Sequence, residues 1–304
     1  MGNAPQFDRP LTACTLCGSA KIRRFDRDFR GRAIFRCREC GLKLMNPPYC
    51  DAYLAAYYAR YIPEPAEVEP IRQARRRMSK IDDMALVERC VEPGRLLSIG
   101  CGDGLELQIA AMHGWEAEGY DVDPLTTRRV AARTGRPVYC GDFFSLGLPS
   151  DYYDCVFMDQ VLEHPKNPGD YLREAYRILR PVGVLFVGCP NIESIASQWK
   201  TLLGKVGLKR TRGKHYDTTH HLSYFSPWQL RRALRTHFGF EVVVIEGDPL
   251  SGQKPRLENR TRCGRLMTRL RRRFPVLEGT FRIVARKPGT AEPAPASGAL
   301  RRAA

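Results

Sequence analysis

The stretch Leu96-Leu-Ser-Ile-Gly100-Cys-Gly102-Asp-Gly104 decides how this chain folds. A mainly apolar run leads into glycines at alternate positions, and a helical pattern begins directly after them. Glycines at such a turn let the backbone bend sharply and approach a ligand at the N-terminus of the next helix. The stretch therefore predicts a strand, a ligand-binding loop and a helix.

The chain around this stretch alternates between strand and helix patterns, which is typical of a parallel sheet covered by helices on both faces. We therefore predict an α/β fold with a doubly wound, Rossmann-like sheet of seven strands. A helix over residues 71–91 is expected to lead into it. The predicted strands cover residues 95–99, 115–120, 137–140, 153–158, 182–188, 240–246 and 279–286.

The acids after the second strand indicate what kind of ligand the loop binds. A dinucleotide fingerprint would place its last glycine at position 105, where this chain has Leu105. Asp121 directly follows the second strand, where a carboxylate accepts hydrogen bonds from ribose hydroxyls. Asp123 precedes Pro124 and is expected to cap the next helix instead.

The glycines at 100, 102 and 104 resemble motif I of the class I S-adenosylmethionine-dependent methyltransferases. Segments 158–165, 177–183, 220–227 and 239–242 are similar to the ubiquinone-biosynthesis branch of that family. The resemblance implies S-adenosylmethionine as cofactor, with Asp142 accepting from the adenine amine and Phe143 giving the ring an apolar face. The predicted cofactor-binding residues are Gly100, Cys101, Gly102, Gly104, Asp121, Val122, Asp142, Phe143 and Asp159.

The chain departs from this branch at two places. Some ubiquinone-type enzymes bind a divalent metal through a second acid three residues before the Glu-His pair, where this chain has Gln160, so we predict no catalytic Mg²⁺. The usual Pro-Gly-Gly before the fifth strand reads Pro181-Val182-Gly183, and we expect Val182 to matter little for cofactor binding.

Two Cys-x2-Cys pairs, Cys14/Cys17 and Cys37/Cys40, precede the main domain. Each pair presents two thiolates from one tight turn, and two such turns complete a tetrahedral Zn²⁺ shell. Four closed sulfur ligands predict a structural zinc ribbon, with four reduced, unliganded thiols as the alternative. With this ribbon in front, the chain resembles bacterial proteins that include C-methyltransferases of nucleotide-linked deoxysugars.

The resemblance thus favours a small or carrier-linked metabolite as methyl acceptor, with a sugar or sugar-nucleotide first. A general base is needed when that acceptor must lose a proton, and imidazole titrates near neutrality. His164 follows the fourth strand, and His220 and His221 lie in the insertion expected to cover the acceptor. We take these three as candidate catalytic residues; Tyr216 and Tyr224 are candidates for holding an enolate.

The net charge of +16 resides mainly in the C-terminal part, where residues from Ser251 onward carry fourteen Lys and Arg against three Asp and Glu. Cys263, Leu266, Met267, Leu270 and Phe274 follow helical spacing among arginines. The helix 260–274 is therefore a candidate for peripheral contact with the inner face of the membrane, or for packing on the domain with solvated arginines. No apolar run of transmembrane length occurs in the sequence, and we expect a cytoplasmic protein.

Two other functions stay open. An RNA methyltransferase would use the ribbon to bind RNA, but the near-balanced charge before Ser251 and the lack of an aromatic-basic run disfavour it. A non-catalytic, ribbon-bearing adaptor is disfavoured by the intact glycines and acids. The oligomeric state is not predicted. The expected layout is a ribbon (1–50), a connector (51–70), a methyltransferase domain (71–288) with an acceptor-side insertion (189–225) and a basic segment (251–278), and a disordered tail (289–304).

Overall fold

The computed structural model describes residues 6–58, 70–205, 216, 220–248 and 262–289. The predicted tail lies outside the described residues, apart from Gly289. The strands are β1 (Ile22–Arg27), β2 (Ala33–Cys37), β3 (Lys43–Met45), β4 (Arg95–Ile99), β5 (Glu116–Tyr120), β6 (Val138–Tyr139), β7 (Tyr153–Asp159), β8 (Leu179–Pro190), β9 (Ser223–Tyr224), β10 (Glu241–Gly247) and β11 (Thr280–Arg286). The α-helices are α1 (Asp51–Tyr58), α2 (Pro70–Glu88), α3 (Leu105–Met112), α4 (Pro124–Thr134), α5 (Pro168–Ile178), α6 (Ile195–Lys205), α7 (Pro227–His237) and α8 (Arg262–Arg273).

The main sheet has seven strands in the order β10-β11-β8-β7-β4-β5-β6, which confirms the predicted fold class. The neighbours from β8 to β6 are parallel, whereas β11 runs antiparallel to both β8 and β10. Strands β4, β7 and β8 are buried over most of their length, as expected for strands covered by helices on both faces. The carboxyl ends of β4, β5 and β7 therefore meet at one edge of the sheet.

The N-terminal strands form a second, antiparallel sheet in the order β1-β2-β3-β9. Its last strand, Ser223–Tyr224, comes from the predicted acceptor-side insertion and pairs with Lys43 and Leu44 of β3. Gly169 at the start of α5 approaches the first cysteine turn so closely that a Cβ there would lie 2.3 Å from the Leu16 carbonyl oxygen. The N-terminal unit therefore packs closely against α5 of the main domain and shares a sheet with β9.

The beginning of the connector predicted over residues 51–70 forms a helix, α1, and Leu54 buries its side chain. The basic amphipathic helix forms as α8, but Leu266, Met267, Leu270 and Phe274 are 38–56% exposed. Their contact with a membrane stays a prediction. In the described part of the chain, no helix is long and apolar enough to cross a bilayer.

Candidate functional site

The glycine loop after β4 has the left-handed backbone that its sequence predicts. Gly100, Gly102 and Gly104 have φ values of +69°, +50° and +69°. Added Cβ atoms would fall 2.6 Å from Val161 Cγ2 at position 100 and 2.5 Å from Val130 Cγ1 at position 104. Positions 100 and 104 therefore need glycine for conformation and for space.

Asp121 is held against this loop by two backbone amides. Its Oδ2 accepts from the Gly102 amide at 3.0 Å and its Oδ1 from the Asp123 amide at 3.1 Å. Burial raises the pKa of the carboxyl group, and these donors act in the opposite direction. Each oxygen keeps acceptor capacity for a ligand hydroxyl. Asp123 caps α4 through the Thr126 amide at 2.8 Å, as predicted.

The other predicted cofactor residues lie around this loop with different surroundings. Asp142 caps a short 3₁₀ helix, Phe143–Ser145, and its carboxylate accepts from the Ser145 hydroxyl. Phe143 is 2% exposed and stacks on Tyr171, with ring centroids 5.3 Å apart. Its ring therefore already belongs to the core, and its contact with an adenine stays a prediction.

Cys101 and Val122 contribute in different ways. The Cys101 side chain is buried, and its thiol would be 3.0 Å from a Cβ added at Gly119. Its contribution to a ligand would therefore come from the backbone. Val122 is 51% exposed beside Asp121, and its side chain is accessible from solvent.

Helix α2 supplies charges that the sequence analysis missed. The partly buried Lys80 ammonium pairs with Asp159 at the end of β7, and Arg76 pairs with Asp103 in the glycine loop at 2.7 Å. Glu106 faces the same ammonium, accepts from the Ser98 hydroxyl at 3.1 Å and has its pKa raised to about 7 by burial. A ligand that approaches Asp159 would therefore find its carboxylate already paired with the Lys80 ammonium.

The three candidate histidines come together. The ring centroid of His164 lies 5.0 Å from that of His220 and 4.9 Å from that of His221. Burial and the two neighbouring imidazoles hold the pKa of His164 well below its usual range. The Tyr57 hydroxyl of α1 lies 2.8 Å from His220 Nδ1. Their ligand-type nitrogens lie within 4.8 Å of one another, in a partly buried cluster.

Glu163 connects the segment that carries His164 to the segment that carries His221 through hydrogen bonds of its backbone. Its backbone carbonyl accepts from the Leu222 and Ser223 amides at 2.9 and 3.0 Å. Its side chain is 1% exposed, and burial raises its pKa to about 8. The Oε1 atom lies 3.9 Å from His164 Nε2 and has no hydrogen-bond partner among the described residues.

The other two candidates in the insertion are buried tyrosines. Tyr216 and Tyr224 pack edge to face at 5.1 Å. The Tyr224 hydroxyl donates to the His221 carbonyl at 3.0 Å, and the Tyr216 hydroxyl lies 3.5 Å from Asp26. Both rings are buried, and a role in holding an enolate stays a prediction.

The four cysteines of the N-terminal unit form a second candidate site. The Sγ atoms are 3.6 Å apart in Cys14/Cys40 and 3.7 Å apart in Cys17/Cys37. A Zn–S distance near 2.3 Å in a tetrahedron requires sulfurs about 3.8 Å apart. Gly18 and Gly41, after the two pairs, have φ values of +75° and +83°. The arrangement fits one tetrahedral ion with a closed shell.

A parallel sheet, a glycine loop at its carboxyl edge and an acid on the next strand define a domain that binds a nucleoside-type cofactor. A family model described as "Methyltransferase domain" matches residues 71–245. The chain belongs to this methyltransferase family.

Two relatives show how far the resemblance extends. A protein of Mycolicibacterium smegmatis named as a probable S-adenosylmethionine-dependent methyltransferase is 36% identical over 108 residues, 35% of this chain and 41% of that protein. The ubiquinone biosynthesis O-methyltransferase of Caulobacter vibrioides is 27% identical over 175 residues, 52% of this chain and 65% of that enzyme. The matches thus span about two fifths to two thirds of these relatives.

Among solved structures, the chain resembles one from Haloferax volcanii, described as a complex between the Trm112 methyltransferase activator and a methyltransferase. The TM-score is 0.50 at 21% identity, over 78% of this chain and 97% of that one. At this identity the resemblance supports the seven-stranded fold alone.

Proposed function

We propose that the protein transfers a methyl group from S-adenosylmethionine to a small or carrier-linked metabolite. A sugar or sugar-nucleotide is the first acceptor class to test. The observation that supports this proposal is that the glycine loop and the histidine cluster lie close together. Val161 abuts Gly100 of the cofactor loop, and the Val161 carbonyl accepts from the His164 amide at 3.0 Å. A methyl donor on the loop would therefore lie beside the histidine cluster.

The residues present fit S-adenosylmethionine. Asp121 retains acceptor capacity for ribose hydroxyls, and Asp142 lies at the end of β6 for the adenine amine. Gly100 and Gly104 fix a left-handed loop that lets backbone amides approach the ligand. When bound, this cofactor supplies a methyl group activated by its sulfonium, so the protein mainly has to position donor and acceptor.

We assign acceptor deprotonation to the cluster of His164, His220 and His221. A depressed pKa keeps His164 unprotonated at neutral pH, so a ring nitrogen is available to accept a proton. Tyr57 orients His220, and Glu163 lies where its carboxyl group interacts with a protonated His164. The cluster is therefore suited to an acceptor hydroxyl or an acidic carbon.

The proposal is tested in two stages. Calorimetry with S-adenosylmethionine comes first, and an absence of binding at millimolar cofactor would contradict it. The protein is then incubated with isotopically labelled cofactor and a bacterial metabolite extract, and labelled products are identified by mass spectrometry. His221→Asn is expected to remove most of the turnover while cofactor affinity is retained. His113→Asn is the matched control, because His113 pairs with Glu88 away from the cluster.

A further inference from the structure

The hairpin of the N-terminal unit carries a pocket of about 500 Å³ on its surface. Strands β1 and β2 contribute most of its wall, and α7 of the main domain closes one side. The walls hold no acidic side chain. The pocket is lined by Arg23, Arg24, Phe25, Arg36, Cys37, Arg38, Gly41 and Arg232.

The five guanidinium groups of this pocket are uncompensated. All five arginines are exposed, and within the described residues none of them forms an ion pair. Zn²⁺ held by four thiolates would carry about two negative charges, which offsets fewer than half of the five. The charge of the pocket therefore suits an anion with several negative charges.

Exposed aromatic rings continue the basic surface beyond the pocket. Three phenylalanines are 44–47% exposed, and each has a guanidinium carbon 4.9–5.9 Å from its ring centroid. Phe25 lies within β1, and Phe29 lies in the turn that follows this strand. The pairs are Phe7 with Arg32, Phe25 with Arg36, and Phe29 with Arg30.

One cross-strand row joins this surface to the histidine cluster. Arg23 lies opposite Arg36, Arg36 opposite Lys43, and Lys43 opposite Tyr224. Directly opposite residues share one face of a sheet, so the row spans three strand spacings, about 14 Å. It ends at Tyr224, whose hydroxyl donates to the His221 carbonyl.

The sequence disfavoured nucleic acid because the first 250 residues are nearly balanced in charge. The charge is not evenly distributed over these residues. Residues 1–50 contain ten Lys and Arg against four Asp and Glu, so the N-terminal unit alone has a surplus of six positive charges. The sequence also contains an aromatic-basic run that the sequence analysis missed, because residues 21–38 hold eight Lys and Arg together with Phe25, Phe29 and Phe35. The β1–β2 hairpin brings four arginines of this run to one pocket, and α7 adds Arg232.

We propose that this surface, defined by the pocket arginines with Phe25 and Phe29, binds single-stranded nucleic acid. The guanidinium groups contact phosphates and the phenyl rings stack on unpaired bases, the combination used by proteins that bind single strands. A single nucleotide would occupy the pocket alone. A longer strand would also reach Phe29, which does not line the pocket. The inference concerns binding alone and is independent of the proposed methyl transfer.

Fluorescence anisotropy of the full chain with a labelled 12-nucleotide single-stranded RNA tests it. The expected result is binding that weakens steeply as salt rises, and more weakly to a duplex of the same length. Arg36→Ala/Arg38→Ala should weaken binding at least about tenfold and lower the slope of log K against log salt by about 1.4. Phe25→Ala should weaken binding about fivefold or more and leave that slope unchanged.

Arg269→Ala/Arg273→Ala in α8 is the matched control, because both arginines are exposed and basic but lie outside the surface. Unchanged RNA binding by this variant supports the proposal. Loss of RNA binding in this control, with binding retained in Arg36→Ala/Arg38→Ala and in Phe25→Ala, would overturn the proposal. So would an absence of salt-dependent binding at tens of micromolar protein, or Arg36-dependent binding of a nucleoside diphosphate that the RNA cannot displace. Retained metal content and melting temperature show that the variants are folded.

Discussion

Val161 lies directly against Gly100: a Cβ at position 100 would fall 2.6 Å from Val161 Cγ2. This contact joins the glycine loop, which carries several of the predicted cofactor residues, to the segment that carries His164. Since Gly100 also has a φ of +69°, a side chain there meets both backbone strain and a clash.

Gly100→Ala is therefore expected to displace the loop and weaken S-adenosylmethionine binding at least about tenfold, which corresponds to about 1.4 kcal/mol. Calorimetry gives the affinity directly. Gly147→Ala is the control, since Gly147 has a φ of +64° with no atom within 4 Å of an added Cβ. The control should lose about 1 kcal/mol of stability and keep its affinity. Equal affinities in both variants would contradict a cofactor on this loop.

The two acids after β5 separate binding from folding. Asp121→Ala should weaken cofactor binding by about 1–3 kcal/mol, because it removes the ribose acceptors and releases the Gly102 amide. Asp123→Ala should instead cost about 1 kcal/mol of stability through the lost cap on α4. Calorimetry and urea unfolding of both variants check this division. A larger loss of affinity in Asp123→Ala would reverse the assignment of the ribose acid.

The sequence predicted those parts of the molecule whose signals are local. The strand and helix pattern, the left-handed glycines, the cap at Asp123 and the paired cysteines each depend on residues a few positions apart. Tyr57 and His220 are separated by 163 positions, so no periodicity or spacing connects them. The same is true of Lys80 with Asp159, and of Arg232 with the four pocket arginines at residues 23–38.

A buried charge shows a second kind of limit. Arg282 lies within β11, where the strand pattern predicts an apolar interior, yet it is 1% exposed and pairs with Asp82, Asp83 and Glu246. Its partners lie on α2 and β10, at distances along the chain that no pattern covers. From the sequence alone, a single arginine in a strand is therefore predicted to face solvent, because its buried acidic partners are not recognisable.

Val182 is a departure from the family pattern that bears on stability. The residue has a φ of +62°, a conformation that is costly for a β-branched side chain, and its side chain is 51% exposed. Val182→Gly should therefore raise the free energy of unfolding by about 1 kcal/mol and leave cofactor affinity unchanged. Urea unfolding measures the gain. A loss of stability would show that contacts of the valine outweigh the strain.

The cysteine site should hold one Zn²⁺ per chain, measurable by elemental analysis. Cys14→Ser or Cys37→Ser should abolish it and lower the melting temperature, because metal binding contributes directly to folding. Since β3 pairs with β9, turnover should fall more than cofactor affinity. Cys90→Ser is the control, because its thiol contacts the Leu86 carbonyl in α2 and should leave zinc content unchanged. Zinc retained by Cys37→Ser would contradict the assignment.

Glu163 gives a pH dependence whose sign follows from its burial. Its pKa rises from an ordinary 4.5 to about 8 in the folded chain. Between these values the folded state keeps a proton that the unfolded state has lost, so stability falls as pH rises. The contribution is complete below the unfolded pKa and is lost as pH approaches 8. The slope from this group is about 1.4 kcal/mol per pH unit at most.

Glu163→Gln removes this titration while keeping the size of the side chain. Its free energy of unfolding should decline less than that of the wild type between pH 5 and pH 8, measured by urea unfolding at both values. Glu106 and Asp83 also have raised pKa values, near 7, and remain in both proteins. The difference between the two pH profiles therefore isolates Glu163. Identical slopes would mean that Glu163 is ionised in the folded protein, paired with a protonated His164.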